Sequence, residues 1–442
     1  MNVSSILRGL MRRDFLIICF IIFSADLVSG ILSPTFSLYA QGLGASLAFI
    51  GTLSSIGGVT QLLTSLPAGV LSDRYGRRIV LTLGMLAFSG ATMLFALAPN
   101  ALLLIPGRIL MGLAGVATFS IGAAYVGDVV SDTERGVAYG LYTTSMGIGF
   151  GIGPLIGAGI AELYGVPASY LAAAGLALCG ALLAAFGLAA PAPARSAEAR
   201  QAKTVPLPPE AQPAAVTLAA TAQAAVAPSR RSSPARRAPV RLSLGLMRHG
   251  FAQMLHDPRL LAGSLCNLLI NTGFSGAISN FFPIYAADQH ASQETINAMF
   301  SVRAFASAAA RLPSGAITSR LPSRAVMLAA LLLATTALFL MSRTNALSLL
   351  GILLIFEGIS FGMFLPSGQA FTAENSTPAT RGQVLGAYGT AGSLGSALSP
   401  LVLGFVAEVW GAGAVFVVTA ALMGIGIATA LVLFGRRRPE AY

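Results

Sequence analysis

The sequence predicts an all-α integral membrane protein with twelve transmembrane helices, arranged as two pseudo-symmetric six-helix bundles. Two observations predict this fold class. Of the 442 residues, 55% are hydrophobic and only 10% are charged, whereas soluble domains carry about 25% charged residues. In addition, residue patterns of the first half of the chain recur, at a constant separation, in the second half.

Apolar runs of about 20 residues, the length that crosses a bilayer core, occur twelve times. The first run follows Arg12 and Arg13 as a signal peptide would. It is longer than the roughly 7–15 residues of a signal-peptide apolar core, and it contains Asp26, so we interpret it as a retained span. The predicted spans are 15–40, 47–71, 78–98, 101–126, 136–161, 167–190, 259–286, 293–317, 324–342, 346–371, 383–407 and 412–434.

The repeat divides the spans into two sets of six. "LPAGVLSDRYGRRIVL", which begins at Leu66, resembles "LPSGAITSRLPSRAVM", which begins at Leu312. "RGVAYGLYTTSMGIGFGIGPLIGAGIAELYG" from Arg135 aligns without a gap to "RGQVLGAYGTAGSLGSALSPLVLGFVAEVWG" from Arg381. Because six is an even number, the two halves share one orientation. An axis along the membrane normal would relate them, with a site between them near the midplane.

The domain organisation follows from the repeat. Residues 1–190 and 259–442 are predicted to form the two bundles. The segment 191–240, which is rich in Ala, Pro and Arg, is predicted to be a disordered linker. Residues 241–258 place apolar side chains at helical spacing and are predicted to form an amphipathic helix on the cytoplasmic surface. An extension of the seventh span is the alternative.

The basic residues predict the topology. Nearly all arginines of the connections fall on one side of the predicted spans, and Arg343 is the single basic residue on the other side. The positive-inside rule therefore predicts cytoplasmic termini for a multi-pass protein of the cell (inner or plasma) membrane. The excess of 27 Lys+Arg over 16 Asp+Glu serves this purpose, so we expect no nucleic-acid partner. The expected partner at this point is the lipid bilayer, and the expected state is a monomer.

Several chemistries are excluded by residue types. Lys203 is the only lysine and lies in the low-complexity segment, so the GxxxxGK[ST] phosphate loop is absent. The three cysteines fall within spans and the three histidines near their ends. A buried His/Cys metal site, a disulfide and a bound cofactor are therefore not expected. We expect a protein that is not an enzyme.

Three motifs resemble those of a known family. "GVLSDRYGRR", between spans two and three, resembles the cytoplasmic loop motif of the major facilitator superfamily. "LIPGRILMGLAG", which contains Arg108, resembles the family's motif in span four. "GIGFGIGPLIGAG", in span five, resembles the glycine-proline motif of the proton-driven antiporter branch. With the twelve spans and the repeat, the resemblance to twelve-span drug:proton antiporters covers essentially the whole chain.

The loop motif implies a cytoplasmic gate. In the family, a cluster equivalent to Asp73, Arg77 and Asp128 holds the cytoplasmic side closed while the protein faces outward. The alternative is that the basic residues only anchor the loop. The second half has Ser319 where the first has Asp73, so its gate would depend on Glu374. The candidate gate residues are Gly69, Asp73, Arg74, Gly76, Arg77, Arg78 and Asp128.

The glycine-proline motif implies a hinge in the fifth span. Its candidate residues are Gly149, Gly153, Pro154 and Gly157. Proline removes a backbone hydrogen bond and kinks a helix, whereas glycines at this spacing also allow ordinary close packing of helices. Both interpretations remain open.

Ionisable residues inside the spans are the strongest functional signal. Asp26, Arg303 and Glu357 lie about 15–16 Å from the start of their helices at 1.5 Å per residue, near the midplane, and Arg108 lies nearer the outer side. Such charges usually mark an ion or substrate path. The family architecture directs spans one, four, seven and ten, but not span eight, at the cavity. Asp26, Arg108 and Glu357 are therefore the candidate proton-coupling residues.

Asp26 can couple proton uptake to substrate release, because burial favours its neutral form and Arg108 its charged form. A static Asp26–Arg108 pair is the alternative. Glu357 could recognise a cation, carry a second proton or pair with Arg303. The candidate cavity residues suit amphipathic ligands, although packing is the simpler role for the aromatic ones. They are Phe36, Tyr39, Asn267, Asn271, Phe274 and Phe361.

The expected function is therefore proton-coupled export of small amphipathic organic compounds, cations among them, by alternating access. Uptake or facilitated diffusion of a small metabolite is one alternative. A receptor or scaffold that has the same fold but does not transport is the other. The choice between proton and sodium as coupling ion is open.

Overall fold

A computed structural model describes residues 12–130, 135–188, 251–318, 320–377 and 380–435. Within these residues the chain forms long helices and no strand. The predicted linker and residues 241–250 of the predicted amphipathic segment lie outside the described residues. Residues 251–256 are helical. The long helices are α1 (Arg13–Leu32), α2 (Leu47–Tyr75), α3 (Arg77–Ala96), α4 (Ala101–Val129), α5 (Arg135–Tyr164), α6 (Val166–Gly187), α7 (Pro258–Asp288), α8 (Gln293–Thr318), α9 (Ser323–Met341), α10 (Leu347–Glu374), α11 (Arg381–Trp410) and α12 (Ala412–Gly435).

The helices match the predicted spans in number and order. In the part of the chain that the structure describes, eleven of them are long and apolar enough to cross a membrane. The remaining one, α8, has 26 residues, about 39 Å at 1.5 Å per residue, and carries Arg303 and Arg311. The predicted first span is interrupted: α1 ends at Leu32 and a short helix, Phe36–Gly42, follows. Pro34 in the break cannot donate the hydrogen bond that a continuous helix needs.

Large apolar side chains cover the outside of the helix bundle. Leu332 is 57% exposed, Ile425 66% and Val432 61%. A soluble protein rarely presents continuous apolar surface of this kind, whereas lipid solvates it. The surface therefore agrees with a protein that spans a membrane.

The internal repeat of the sequence is a structural repeat. Tyr39 donates to the carbonyl of Phe95, and Tyr285 to the carbonyl of Met341, at the same separation along the chain. The hydroxyls of Ser33 and Ser279, which are 246 positions apart, lie 3.3 Å from each other. Because equivalent residues of the two halves touch here, the pseudo-two-fold axis passes between them.

The two halves, α1–α6 and α7–α12, meet closely at one end of the bundle. We call the end that carries the α2–α3, α8–α9 and α10–α11 turns the arginine-rich face and the other end the arginine-poor face. Near the arginine-poor face, Gly51 of α2 packs against the backbone of Pro400 and Gly404 of α11. On α5, Gly151 packs against Phe305 of α8.

Toward the arginine-rich face the halves separate. A cavity of about 880 Å³ lies between them there, lined by Gly58 and Gln61 of α2 in the first half and by residues of α7, α10 and α11 in the second. The described conformation is therefore closed at the arginine-poor face and open at the arginine-rich face.

Candidate functional site

A pocket between the two halves contains the most unusual charge in the sequence. It has a volume of about 270 Å³ and is lined by α1 and α5 of the first half and by α7, α8 and α10 of the second. Asp26 lines it from the first half, and Arg303 and Arg311 line it from the second. Asp26 is only 7% exposed, and its Oδ2 has no hydrogen-bond partner among the described residues. A buried carboxylate oxygen without a partner is costly, which makes it a natural place for a proton or a ligand.

Arg311 is the basic residue that acts most directly on Asp26. The two side chains interact electrostatically, but they are not among the direct ion pairs of the described residues. The Nε of Arg311 is buried and has no hydrogen-bond partner there. The pocket is thus lined by a negative and a positive side chain that do not form a direct ion pair with each other.

Arg303 and Glu357 form a buried ion pair beside this pocket. The Arg303 Nε lies 2.5 Å from the Glu357 Oε2, and the two residues are 2% and 1% exposed. The guanidinium carbon of Arg303 lies 4.3 Å from the ring centre of Phe274 and 5.6 Å from that of Phe361. Of the three roles considered for Glu357, this geometry matches pairing with Arg303. Its role in transport stays a prediction.

Arg108 occupies a different pocket from Asp26. This second pocket, of about 250 Å³, is bounded by α1, the short helix that follows it, α2, α4, α5, α7 and α11. The guanidinium carbon lies 3.4 Å from the ring centre of Phe36, and Nη2 lies 3.4 Å from the hydroxyl of Ser54. Phe150 and Phe274 line both pockets. In this conformation two aromatic side chains therefore stand at the border between Arg108 and Asp26.

The two predicted asparagines line a third and larger cavity. It measures about 880 Å³ and is formed by α2, α7, α10 and α11. Asn267 donates to the carbonyl of Tyr388 at 2.8 Å, and Asn271 donates to the carbonyl of Asn267 at the same distance. The Oδ1 of Asn271 accepts a hydrogen bond from Ser396 at 3.4 Å. These amides are oriented by the protein and lie along the space between the halves.

Tyr39 differs from the other predicted cavity residues. It packs inside the first bundle, where its hydroxyl donates to the carbonyl of Phe95 at 2.9 Å. Its ring lies edge-on to Tyr170, with the ring centres 5.2 Å apart. In this conformation Tyr39 does not line any of the three cavities described above.

At the arginine-rich face, two of the three charged residues predicted to form the gate are in contact. Arg77 and Asp128 form an ion pair, whereas Asp73 is exposed and has no ion-pair partner in the described part of the chain. Gly76, which joins α2 to α3, has φ 94°, a conformation that favours glycine. In the second half, Ser323 donates to Glu374 at 2.5 Å. Ser319 lies outside the described residues.

The other predicted gate residues surround this pair. Arg74 lies over the ring of Tyr75, 5.3 Å from its centre, and Arg78 donates to the carbonyl of Ala185. A Cβ at Gly69 would meet nothing within 4 Å. The described conformation is open at this face, so it does not test whether these groups lock the closed state.

The glycine motif of α5 is a packing surface. Gly149, Gly153 and Gly157 face α1, and a Cβ at any of them would approach backbone or side-chain atoms of that helix. Pro154 lies within α5, and its ring lies near Gly30 of α1. The contacts match the close-packing interpretation, and the hinge stays a prediction.

Gly153→Ala is expected to destabilise the protein by about 1–3 kcal/mol, a typical cost of overpacking. Its Cβ would lie 2.6 Å from the carbonyl oxygen of Leu27 and 2.8 Å from the Cα of Gly30, and neither backbone atom can move alone. Unfolding of the purified variants in mixed micelles provides the measurement. Gly159→Ala is the matched control, because nothing lies within 4 Å of its Cβ. Equal stability of the two variants would contradict the assignment.

Sequence reasoning missed Arg311 and expected α8 to lie away from the cavity. The signal was present, because Arg303 and Arg311 lie about two turns apart on one helix. Two arginines on one stripe of a spanning helix predict a polar surface toward the protein interior. The expectation that only spans one, four, seven and ten line the cavity led us to overlook this signal.

Comparison with known proteins shows which family the chain resembles. The family model described as Major Facilitator Superfamily matches residues 18–285 and 260–442. Multidrug resistance protein 2 of Bacillus subtilis (strain 168) is 31% identical over 167 residues, which cover 38% of this chain and 42% of that protein. Quinolone resistance protein NorA of Staphylococcus aureus (strain MRSA252) is 25% identical, over 38% of this chain and 43% of that protein. The match spans about two fifths of each of these two relatives.

Solved structures share the fold over nearly the whole chain. A bacterial homologue of the human lysosomal transporter Spinster, in an inward-facing and occupied conformation, superposes with a TM-score of 0.72 at 14% identity and covers 95% of this chain and 96% of that one. The nucleoside transporter NupG superposes with a TM-score of 0.67 at 16% identity and covers 96% and 99%. At these identities the likeness concerns the fold alone.

Proposed function

The chain belongs to the major facilitator superfamily, and from that premise we propose that it exports small amphipathic organic compounds by proton-coupled alternating access. Membership makes it a membrane transporter rather than an enzyme. The observation that carries the finer proposal is Asp26. Its carboxylate is buried between the two halves, with one oxygen unpartnered among the described residues.

Competition for this carboxylate would couple the two fluxes. A positively charged substrate group and a proton cannot both occupy it, so binding of either one releases the other. A pocket lined by both halves changes its exposure when the halves rock. An inward proton gradient would then drive substrate outward. The mostly apolar pocket wall, formed by Met146, Phe150, Phe274, Phe361 and Leu365, suits an amphipathic substrate body.

The proposal includes an orientation. Because basic residues favour the cytoplasmic side, the arginine-rich face would lie in the cytoplasm together with both termini and the 191–240 linker. The described conformation would then be open inward. Export as the direction is supported by the relatives named for resistance to drugs. Glu357 would act through Arg303, which lines the Asp26 pocket, and Arg108 would act from the neighbouring pocket.

A contact at the arginine-poor face would hold this conformation closed. The backbone N–H of Ala48, at the start of α2, donates to the Glu408 carboxylate of α11 at 3.0 Å. A carboxylate at a helix N-terminus is favourable, and here it links the two halves. Its counterpart in the first half, Glu162, is exposed and makes no such contact among the described residues.

Glu408→Ala is therefore expected to shift the population toward the outward-open state by about two- to fivefold, equivalent to about 0.5–1 kcal/mol. The measurement is labelling of Ser33→Cys by a membrane-impermeant maleimide, in a background without Cys19, Cys179 and Cys266. Glu162→Ala provides the matched control and should leave the labelling rate unchanged. Equal labelling rates in the two variants would show that the Ala48–Glu408 contact does not hold the arginine-poor face closed.

The direct test uses vesicles that contain the purified protein and an imposed pH gradient. Ethidium, an amphipathic cation, serves as the probe. Movement of ethidium against its own gradient, opposite to the proton flux, is the expected result. A carrier that only facilitates diffusion would ignore the pH gradient, and a sodium-coupled one would respond to sodium instead. Either outcome would overturn the proposal, as would the absence of gradient-driven movement of both ethidium and the zwitterion 3-(2-naphthyl)alanine.

A further inference from the structure

The pocket between the halves contains three charged side chains whose hydrogen bonds are incomplete. Within the described residues, Oδ2 of Asp26, Nε of Arg311 and Nη2 of Arg303 have no partner. Asp26 is 7% exposed and Arg303 is 2% exposed. Native proteins leave only a few buried polar groups unsatisfied. These three belong to charged side chains on one pocket, where a ligand could supply the missing partners.

The signs of these charges restrict the ligand. Glu357 already neutralises Arg303, so Arg311 is the positive group that remains without a counter-charge. Asp26 and Arg311 interact electrostatically without forming a direct ion pair. A ligand with only a positive charge would leave Arg311 unpaired, and one with only a negative charge would leave Asp26 unpaired. An unpaired buried charge is strongly unfavourable.

The rest of the pocket restricts the ligand's body. Phe274 and Phe361 lie with their ring centres 4.8 Å apart, and Phe150 lines the same space. A volume of about 270 Å³ accommodates a bicyclic aromatic ring with a short polar head. The aromatic wall and the paired charges therefore describe one ligand with two parts.

We infer that this pocket recognises amphipathic zwitterions, which carry an ammonium and a carboxylate on one aromatic body. The ammonium binds Asp26 and the carboxylate binds Arg311, with Arg303 as a second donor through Nη2. The inference rests on the proposed function, in which Asp26 also carries the coupling proton. It adds the substrate class: the ammonium competes with the proton, and the carboxylate provides selectivity.

Three probes of one shape test the charge requirement. 3-(2-Naphthyl)alanine is the zwitterion, 2-(2-naphthyl)ethylamine is the cation and 3-(2-naphthyl)propanoate is the anion. Their affinities for the purified full chain in detergent are measured by isothermal titration calorimetry at pH 7.5. The zwitterion is expected to bind at least about tenfold more tightly than either single-charge probe, since a hydrogen bond to a charged group commonly contributes that much or more.

Two substitutions test the positive and the negative group of the site separately. Arg311→Gln should weaken the zwitterion and the propanoate by about 10–100-fold and leave the amine within about twofold. Asp26→Asn should weaken the zwitterion and the amine to the same extent and leave the propanoate unchanged. Arg343→Gln is the matched control, because Arg343 is exposed and lies at the arginine-poor face. It should change none of the three affinities.

The results that would overturn the inference are equally specific. Equal affinities of the amine and the zwitterion for the wild-type chain would overturn it. So would an Arg311→Gln variant in which the ratio of these two affinities is unchanged. Failure of all three probes to bind would also overturn it. Should Arg311→Gln fail to fold, the wild-type ranking still decides, and Arg311→Lys, which keeps the charge, should retain part of the preference.

Measurements of binding and of transport distinguish failure of this inference from failure of the proposed function. Gradient-driven movement of ethidium without preference for the zwitterion would overturn the substrate class alone. Selective zwitterion binding without gradient-driven movement of ethidium or of 3-(2-naphthyl)alanine would overturn proton-coupled export and leave the charge recognition in place.

Discussion

Asp26→Asn is expected to abolish the response of transport to a pH gradient. Asparagine preserves the shape of the side chain but cannot take up or release a proton. Accumulation of ethidium in inverted vesicles should fall to the level of vesicles without protein. Exchange of labelled for unlabelled ethidium at saturating concentration should persist, because the halves can still rock around a bound substrate.

Asp288→Asn is the matched control for this variant. Asp288 ends α7 at the arginine-poor face and does not line the Asp26 pocket. Its substitution should leave both accumulation and exchange at wild-type levels. Persistence of gradient-driven accumulation in Asp26→Asn would show that the coupling proton binds elsewhere, and loss of exchange as well would indicate a folding or binding defect instead.

Glu357→Gln is expected to destabilise the protein by about 3–5 kcal/mol, the usual cost of removing one partner of a buried ion pair. Arg303 would keep its charge while it is 2% exposed and surrounded by Phe274 and Phe361. Unfolding by SDS in mixed micelles measures the difference. Glu294→Gln, in the first turn of α8, is the control and should cost less than about 1 kcal/mol.

The double variant Arg303→Met with Glu357→Leu should recover most of this stability. Replacement of a buried pair by apolar residues of similar size is often neutral or stabilising. If Glu357→Gln were as stable as the wild type and lost only gradient-driven transport, Glu357 would be a proton site rather than the counter-charge of Arg303.

Much of the fold follows from short stretches of sequence. A span is defined by about 20 consecutive apolar residues, and the repeat by residues that match position by position, so neither requires knowledge of tertiary contacts. Ser33 and Ser279, which the repeat makes equivalent, meet at the pseudo-two-fold axis. The one helix that differs in hydropathy, α8, differs because Arg303 and Arg311 lie on it.

The candidate site was only partly predictable. Helical periodicity shows which residues share one face of a helix, and the apolar span around Asp26 marks it as a charge that needs a partner. Periodicity does not show how far each helix is rotated about its own axis, or which neighbour that face meets. The partner expected for Asp26 was Arg108, which lies instead over the ring of Phe36 in another pocket.

The sequence by itself determined the twelve helices, their division into two related halves and the presence of charge inside the membrane. These properties depend on local composition, because a bilayer selects apolar length residue by residue. Only the tertiary structure decided that Arg311 shares a pocket with Asp26 and that Glu357 pairs with Arg303. Those pairings depend on how α1, α8 and α10 pack against one another, which small residues and side-chain shapes far apart in the chain settle together.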